Sequence, residues 1–379
     1  MDFSLTEDQK MLRSTVRHFA RRELEPAAAK IDETDGFPAD LVRKMADLGL
    51  MGLTIPEEYG GSGKGKTEFC IAVEELSRAS ASVSAIFRVS LSLAIHPVVF
   101  FGTPEQKRRF LVPHASGDKL ACFALTETGA GSDPAAMETT ARRHGDDYVL
   151  NGSKIFISLG AEAEITVVFA TISRALRHKG ITAFIVEKGT PGFSVGKHET
   201  KLGLHGVSSV ELIFQDCLVP RENRLGDEGK GLKIALEALN ASRTTVGAEA
   251  VGISQAAFDA ALGYARERQQ FGQPIANFQA IQWMLADMAT QIEAARLLTY
   301  RAAYLEDNGL PFLKEAAMAK LFASEVSRMV TNNALQIHGG YGYTKDYPVE
   351  RYLRDAKITE IYEGTSEMMR LTIARNLIK

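Results

Sequence analysis

Cysteine is scarce in this chain. There are three, Cys70, Cys122 and Cys217, far apart and with no C-x-x-C pair, so neither a disulfide framework nor a cysteine zinc site is expected. The eight histidines form no H-E-x-x-H or H-x-x-x-H pattern, which removes the usual helix-borne zinc motif. Gly-x-Ser-x-Gly is absent, and with it a nucleophile elbow. Formal net charge is only -3, so bulk charge gives no support to a polyanion-binding role. The N-terminus, MDFSLTEDQKMLRSTVRHFARREL, has no apolar core of a secretory signal. No uninterrupted apolar run reaches the roughly 18 residues of a membrane span. These absences fit a reduced, cytoplasmic setting without membrane insertion; a mature organelle-matrix protein would read the same.

What is present is an ordinary globular balance, 45% apolar and 24% charged, over 379 residues. That length exceeds what one core usually serves. Residues 1–119 read as helices with short breaks, the first opened by a capping box at Thr6-x-x-Gln9. Residues 120–228 change period: ITVVFATI (165–172), ITAFIVE (181–187) and VELIFQ (210–215) are strand-like and separated by turn residues. Residues 229–379 return to long helical patterns, which predicts a bundle. The fold class expected is α+β: an N-terminal helical domain, a middle antiparallel β-domain and a C-terminal four-helix bundle.

Gly60-Gly61-Ser62-Gly63-Lys64-Gly65-Lys66-Thr67 matches G-x-x-x-x-G-K-[ST]. A phosphate-binding loop needs a buried strand before it, and IPEEY is not one, so a plain loop is expected. Short clusters such as Lys107-Arg108-Arg109 read as solvated helix faces rather than a nucleic-acid patch.

Two segments say more. FALTETGAGSD (123–133) is a glycine-rich turn after a short apolar stretch, with hydroxyls and free amides able to hydrogen-bond a polar heterocycle or phosphate. QIHGGYGYTKDYPVERYLRDAKITEIYEGTSEMMR (336–370) places a carboxylate, Glu363, between Tyr362 and Gly364. Such a carboxylate is either a buried general base or half of a structural ion pair.

On these two segments the chain resembles the acyl-CoA dehydrogenases, nearest the short-chain, butyryl-CoA branch. NGSKIFIS (151–158), ENRLGDEGKG (222–231), ARERQQFGQPIANFQAIQ (265–282) and PEEYGG (56–61) follow in the expected order, and the resemblance spans essentially the whole chain. It implies FAD as cofactor, an acyl-CoA substrate, electron-transfer flavoprotein as acceptor and a homotetramer. Residue by residue it implies Glu363 as the base and Gly364 along the thioester. Phe123, Leu125, Thr126, Gly131 and Ser132, with Phe156, Ile157 and Ser158, would line the flavin. Arg268, Gln270, Phe271 and Gln279 would hold its diphosphate and adenine, partly from a neighbouring subunit. Gln336, Gly339, Gly340, Thr365 and Glu367 would add FAD contacts, and Ser132, Asn240 and Arg243 would face the substrate. The base takes the α proton while a β hydride leaves for the flavin.

The chain departs from the family pattern at several positions. Phe156 stands where many relatives have Trp, Thr128 for Pro, Leu159 for Asn, His205 for Arg and Asn240 for Asp. Ser242 occupies the position of the base in isovaleryl-type members, so Glu363 must serve. Arg88, in SAIFRVSLSLAIHP, falls on the helix that lines the acyl pocket, where simple fatty-acyl members carry a small or apolar residue. It either forms an ion pair or meets solvent, or it holds a second carboxylate on the substrate; glutaryl-CoA dehydrogenases use an arginine at the position of Ser84, one turn away. An acyl-CoA oxidase is the alternative enzyme, disfavoured because oxidases are longer. A DNA-associated relative would add a basic C-terminal domain, whereas this chain ends after the bundle.

Overall fold

The computed structural model describes residues 4–378. Helix α1, Glu7–Phe19, opens on the expected capping box, with Thr6 Oγ1 accepting from Gln9 N at 3.2 Å and Gln9 Oε1 from Thr6 N at 3.1 Å. A π-helical turn, Ala20–Leu24, joins it to α2, Glu25–Thr34. Pro26 lacks an N–H and crowds the preceding turn, which the wider turn accommodates. Next come α3, Ala39–Asp47, then α4, Lys66–Ala79, and α5, Ala81–Arg88, the last two nearly all buried. A second π turn, Val89–Ala94, continues α5 into α6, His96–Phe101, before α7, Pro104–Ala115.

The helical stretch Ala81–Phe101 is 21 residues and apolar enough to cross a membrane by length and composition, but 83% of its apolar window is buried inside the protein. A count of uninterrupted apolar residues misses it because Arg88, four serines, His96 and Pro97 break the run. The glycine-rich segment 60–67 behaves as a loop. A 3-10 turn, Glu57–Tyr59, precedes it instead of a strand. The N-terminus of α4 is filled from within, since the Asp307 carboxylate accepts from Lys66 N, from Thr67 N at 2.9 Å and from Thr67 Oγ1 at 2.6 Å. Lys66 turns inward, its Nζ donating to Ala241 O at 3.1 Å.

The middle of the chain forms one eight-stranded sheet: β1 Ala121–Ala124, β2 Thr140–His144, β3 Asp147–Ser158, β4 Ile165–Thr171, β5 Ile181–Glu187, β6 Phe193–His198, β7 Ser209–Val219 and β8 Arg224–Leu225. The order is β6-β7-β3-β2-β4-β5-β8, with β1 against β4. Most neighbours are antiparallel as expected. β1 pairs parallel to β4, and one β2–β4 bridge is also parallel, because the chain passes through the β2–β3 hairpin between them.

The bundle consists of α8, Gly231–Glu267, then the hairpin β9–β10 (Gln269–Gln270 with Gln273–Pro274), α9 Gln279–Asp307, α10 Leu313–His338, α11 Val349–Lys357 and α12 Ser366–Leu377. α8 is packed by α10, α9 and α4 together. Small residues allow that approach: a Cβ on Gly252 would lie 2.5 Å from Glu74 O on α4. α8 therefore brings the bundle against the helices that carry Arg88.

Asp307→Ala leaves three donors at the start of α4 without their acceptor. We expect a loss of about 1–2 kcal/mol in urea unfolding, with the flavin site unaffected.

Candidate active site

The strand β1 ends in a loop fixed from below. Thr126 O accepts from Ile155 N at 2.9 Å, tying the loop to β3. Glu127, 7% exposed, accepts from Lys154 Nζ at 2.6 Å and from Thr139 N at 3.0 Å. Lys154 also donates to Leu125 O at 3.2 Å. Burial pushes Lys154 down to about 8 against the opposing pull of Glu127. Beside this pair, the β3–β7 register slips between Lys154 and Ile157, and Phe156 takes a positive φ of 57°. The bulge turns Phe156 outward, 60% exposed, while Ile157 stays buried. Leu159, at φ 63°, is also left-handed, a conformation that asparagine would adopt at lower cost.

The second half of the site is a buried charge cluster. Arg88 is fully buried. Its Nε lies 3.0 Å from Glu249 Oε2, close but out of hydrogen-bonding alignment. Its Nη1 donates to Glu363 Oε1 and weakly to Ser242 Oγ at 3.4 Å, and its guanidinium sits 4.8 Å from the Tyr362 ring centroid. Tyr362 in turn donates its hydroxyl to Glu249. Burial alone would lower the Arg88 pKa; Glu249 and Glu363 outweigh it and hold the guanidinium charged. Glu249 is pushed up by burial, only partly offset by Arg88: two carboxylates share one cation. Of the readings open for Arg88, the structure shows the ion pair, and one of its partners is Glu363, the carboxylate expected as the base. Ser84, one turn back, instead bonds Ser77 Oγ at 2.7 Å and Val73 O at 3.2 Å on α4, so the two do not converge on one group.

Glu363 itself has a positive φ of 55° and a side chain only 4% exposed. Two cations hold the turn it sits on. Arg243 Nε donates to Glu363 O at 3.2 Å, and Lys320 Nζ to Gly364 O at 2.7 Å. Burial lowers both, Lys320 to about 8. Asn240 accepts from Arg243 Nη1 at 2.6 Å and so aims it. Thr365 caps α12 through Met368 N at 3.4 Å, fixing the far side of the turn.

The remaining expected residues fall into two groups. Phe123 and Leu125 are buried, Thr126 and Ser158 are partly open, and Gly131 and Ser132 are exposed on the loop. Arg268, Gln270, Phe271 (93% exposed) and Gln279 lie exposed on the hairpin and at the start of α9. Gln336, Gly339, Gly340 and Glu367 are exposed as well. A flavin fits what these residues offer. The backbones of Gly129, Gly131, Gly339 and Gly340 face open space where even an added Cβ would touch nothing, and Phe156 gives an exposed ring face beside hydroxyls. Sequence reading missed Glu249, Lys320 and the Glu127–Lys154 pair. The one signal was a lone glutamate in the small, apolar run VGAEAVGIS on α8.

The fold agrees with the comparisons. Family models match in order: acyl-CoA dehydrogenase N-terminal domain over 6–118, middle domain over 122–217 and C-terminal domain over 229–378. The chain belongs to the acyl-CoA dehydrogenase family, of the short-chain, butyryl type, and its cofactor is FAD. It is 54% identical to an acryloyl-CoA reductase (NADH) of Anaerotignum propionicum, over 100% of this chain and 96% of that one. It is 50% identical to a short-chain specific acyl-CoA dehydrogenase of Clostridium acetobutylicum over 100% of both. Among solved structures, butyryl-CoA dehydrogenase from Megasphaera elsdenii superposes with a TM-score of 0.98 at 45% identity, 100% of each chain covered. A chain from work on the electron transferring flavoprotein of Acidaminococcus fermentans superposes at 0.99 with 50% identity and the same coverage.

Glu127→Gln strips the counter-charge from a buried ammonium and should cost roughly 3–5 kcal/mol, read as earlier unfolding and weaker FAD retention. Burial pushes the ammonium groups of Lys154 and Lys320 down to about 8 from their ordinary 10.5. Across that window the unfolded chain binds more protons, so their contribution to stability grows as pH rises and is absent below about 8. Denaturation at pH 7.5 and 9.5 should show Lys320→Met lacking its share of that rise.

Proposed function

We propose that this enzyme oxidises a short acyl-CoA carrying a second carboxylate to the 2-enoyl-CoA, with Glu363 as base, Arg88 as carboxylate receptor and electron-transfer flavoprotein as acceptor. The observation that carries it is Arg88: a fully buried guanidinium in direct contact with the candidate base. A simple fatty-acyl chain has no use for a fixed cation there, and although Glu249 and Glu363 already flank Arg88, its buried Nη2 makes no hydrogen bond among the described residues.

In this reading the α C–H of the thioester faces Glu363, whose Oε2 makes no hydrogen bond among the described residues and is the oxygen that would receive the proton. Arg243 and Lys320 keep the turn rigid, so the carboxylate is positioned before substrate arrives. FAD, when bound, supplies the acceptor for the β hydride. Phe156, Thr126 and Ser158 would contact its ring. The exposed hairpin with Arg268, Gln270 and Phe271 would complete a neighbour's FAD site in a homotetramer. The likeness to an acryloyl-CoA reductase favours a second reading, in which the same site runs toward the saturated thioester.

The purified protein should be yellow, with about one FAD per subunit. Anaerobic bleaching against succinyl-, glutaryl-, butyryl- and pentanoyl-CoA should favour a dicarboxylic thioester; preference for the uncharged chains would overturn the substrate assignment. Glu363→Gln should keep fold and flavin and lose turnover by at least about 1,000-fold. Near-normal turnover would place the base elsewhere.

A further inference from the structure

We infer that Arg88 is a latch on Glu363, released when the substrate's own carboxylate takes the place of Glu363 on the guanidinium. This rests on the dicarboxylate reading above and adds a gating step to it.

Three observations carry the inference. First, Arg88 Nη1 donates to Glu363 Oε1, so the candidate base begins in an ion pair. A carboxylate held by a charge-assisted hydrogen bond must weaken that bond before it can take a proton from carbon. Second, Arg88 does not depend on Glu363 to stay in place. Glu249 lies 3.0 Å from its Nε, the Tyr362 ring covers it at 4.8 Å, and Ser242 reaches its Nη1 at 3.4 Å. The Tyr362 hydroxyl donates to Glu249 and holds that carboxylate in turn. Third, Arg88 Nη2 is buried and donates to nothing among the described residues. Nη1 and Nη2 together form an edge that a planar carboxylate accepts bidentately.

Exchange conserves pairing. With a dicarboxylic thioester, Arg88 gives up one carboxylate and gains another, and Glu363 is freed beside the α carbon. With an uncharged chain, freeing Glu363 withdraws a partner from a buried cation, which is strongly unfavourable. Selection would then appear in the chemical step as well as in binding. The other charged groups near Glu363, Lys320 and Arg243, bond its turn through backbone oxygens, so they do not move in the exchange.

The test separates binding from chemistry in the holoenzyme. Rapid anaerobic mixing with glutaryl-CoA and pentanoyl-CoA gives the limiting flavin-reduction rate. Calorimetry with the redox-inert thioethers S-(4-carboxybutyl)-CoA and S-pentyl-CoA gives affinity. In the wild type the limiting rate should be at least roughly 10-fold faster with the charged acyl chain. In Arg88→Ala the pentanoyl rate should rise by a similar factor, and the charged thioether should lose its roughly 30-fold affinity advantage. Because Arg88→Ala leaves Glu249 unpaired, Arg88→Met/Glu249→Gln is the second variant, with the same expectations. Equal limiting rates in the wild type, or an unmoved pentanoyl rate in both variants, overturn the latch. If the affinity advantage is nevertheless lost on substitution, the dicarboxylate reading survives without it. If the pentanoyl rate rises while affinities never differed, the brake on Glu363 stands and the dicarboxylate reading falls.

Discussion

The site is organised around one buried cation. Arg88 is wholly enclosed and has two carboxylates, Glu249 and Glu363, for neighbours. A guanidinium so placed is tolerable only if its partners are fixed, since losing one leaves an uncompensated charge in a poorly hydrated space. Each partner comes from a different part of the chain: Arg88 from α5, Glu249 from the middle of α8, and Glu363 from the turn before α12. The cluster therefore stitches the N-terminal helices to both ends of the bundle, and the approach of α8 to α4 is what allows it.

A second buried pair plays the matching part in the sheet. Glu127 and Lys154 hold the loop after β1 against β3. The two halves of the site are joined through the π turn that follows Arg88. Ser90 there accepts from Ala121 N on β1 at 3.0 Å and meets His114 Nε2 at 2.9 Å, while Ser92 donates to Arg88 O at 2.8 Å. Burial takes His114 down to about 4, so it stays neutral at physiological pH and adds no charge to this joint.

Much of the fold was legible in the sequence because its signals are local. The Thr6–Gln9 capping box, the change from helical to strand period near residue 120, and the long helices after 229 all follow from residues close in the chain. The parallel placement of β1 was not legible: its partner strand begins 44 residues on, at Ile165, and neither segment encodes the direction of pairing. In the site, Glu363 was visible from its motif and Arg88 from its oddity in an apolar helix. Lys320 and Lys154 were not, because a charge in an amphipathic segment reads as solvent-facing until a distant partner buries it, and Glu249 showed only as a lone glutamate in an apolar run with no partner near it in the chain. The exposed hairpin around Phe271 shows a related limit, since one chain alone leaves those residues facing water.

The π turn at Val89–Ala94 has a consequence for how this helix can vary. A wide turn holds one more residue than an α turn, so it rotates everything beyond it by about 100° about the axis. The turn offsets the two sides of this helix, so that residue 88 meets the bundle and Ser90 meets the sheet. A side chain at 88 can be exchanged for another without turning the seam with β1, and the seam can drift without dragging residue 88 off its mark. Such a helix lets the residue that meets Glu363 diversify while the seam with β1 stays put.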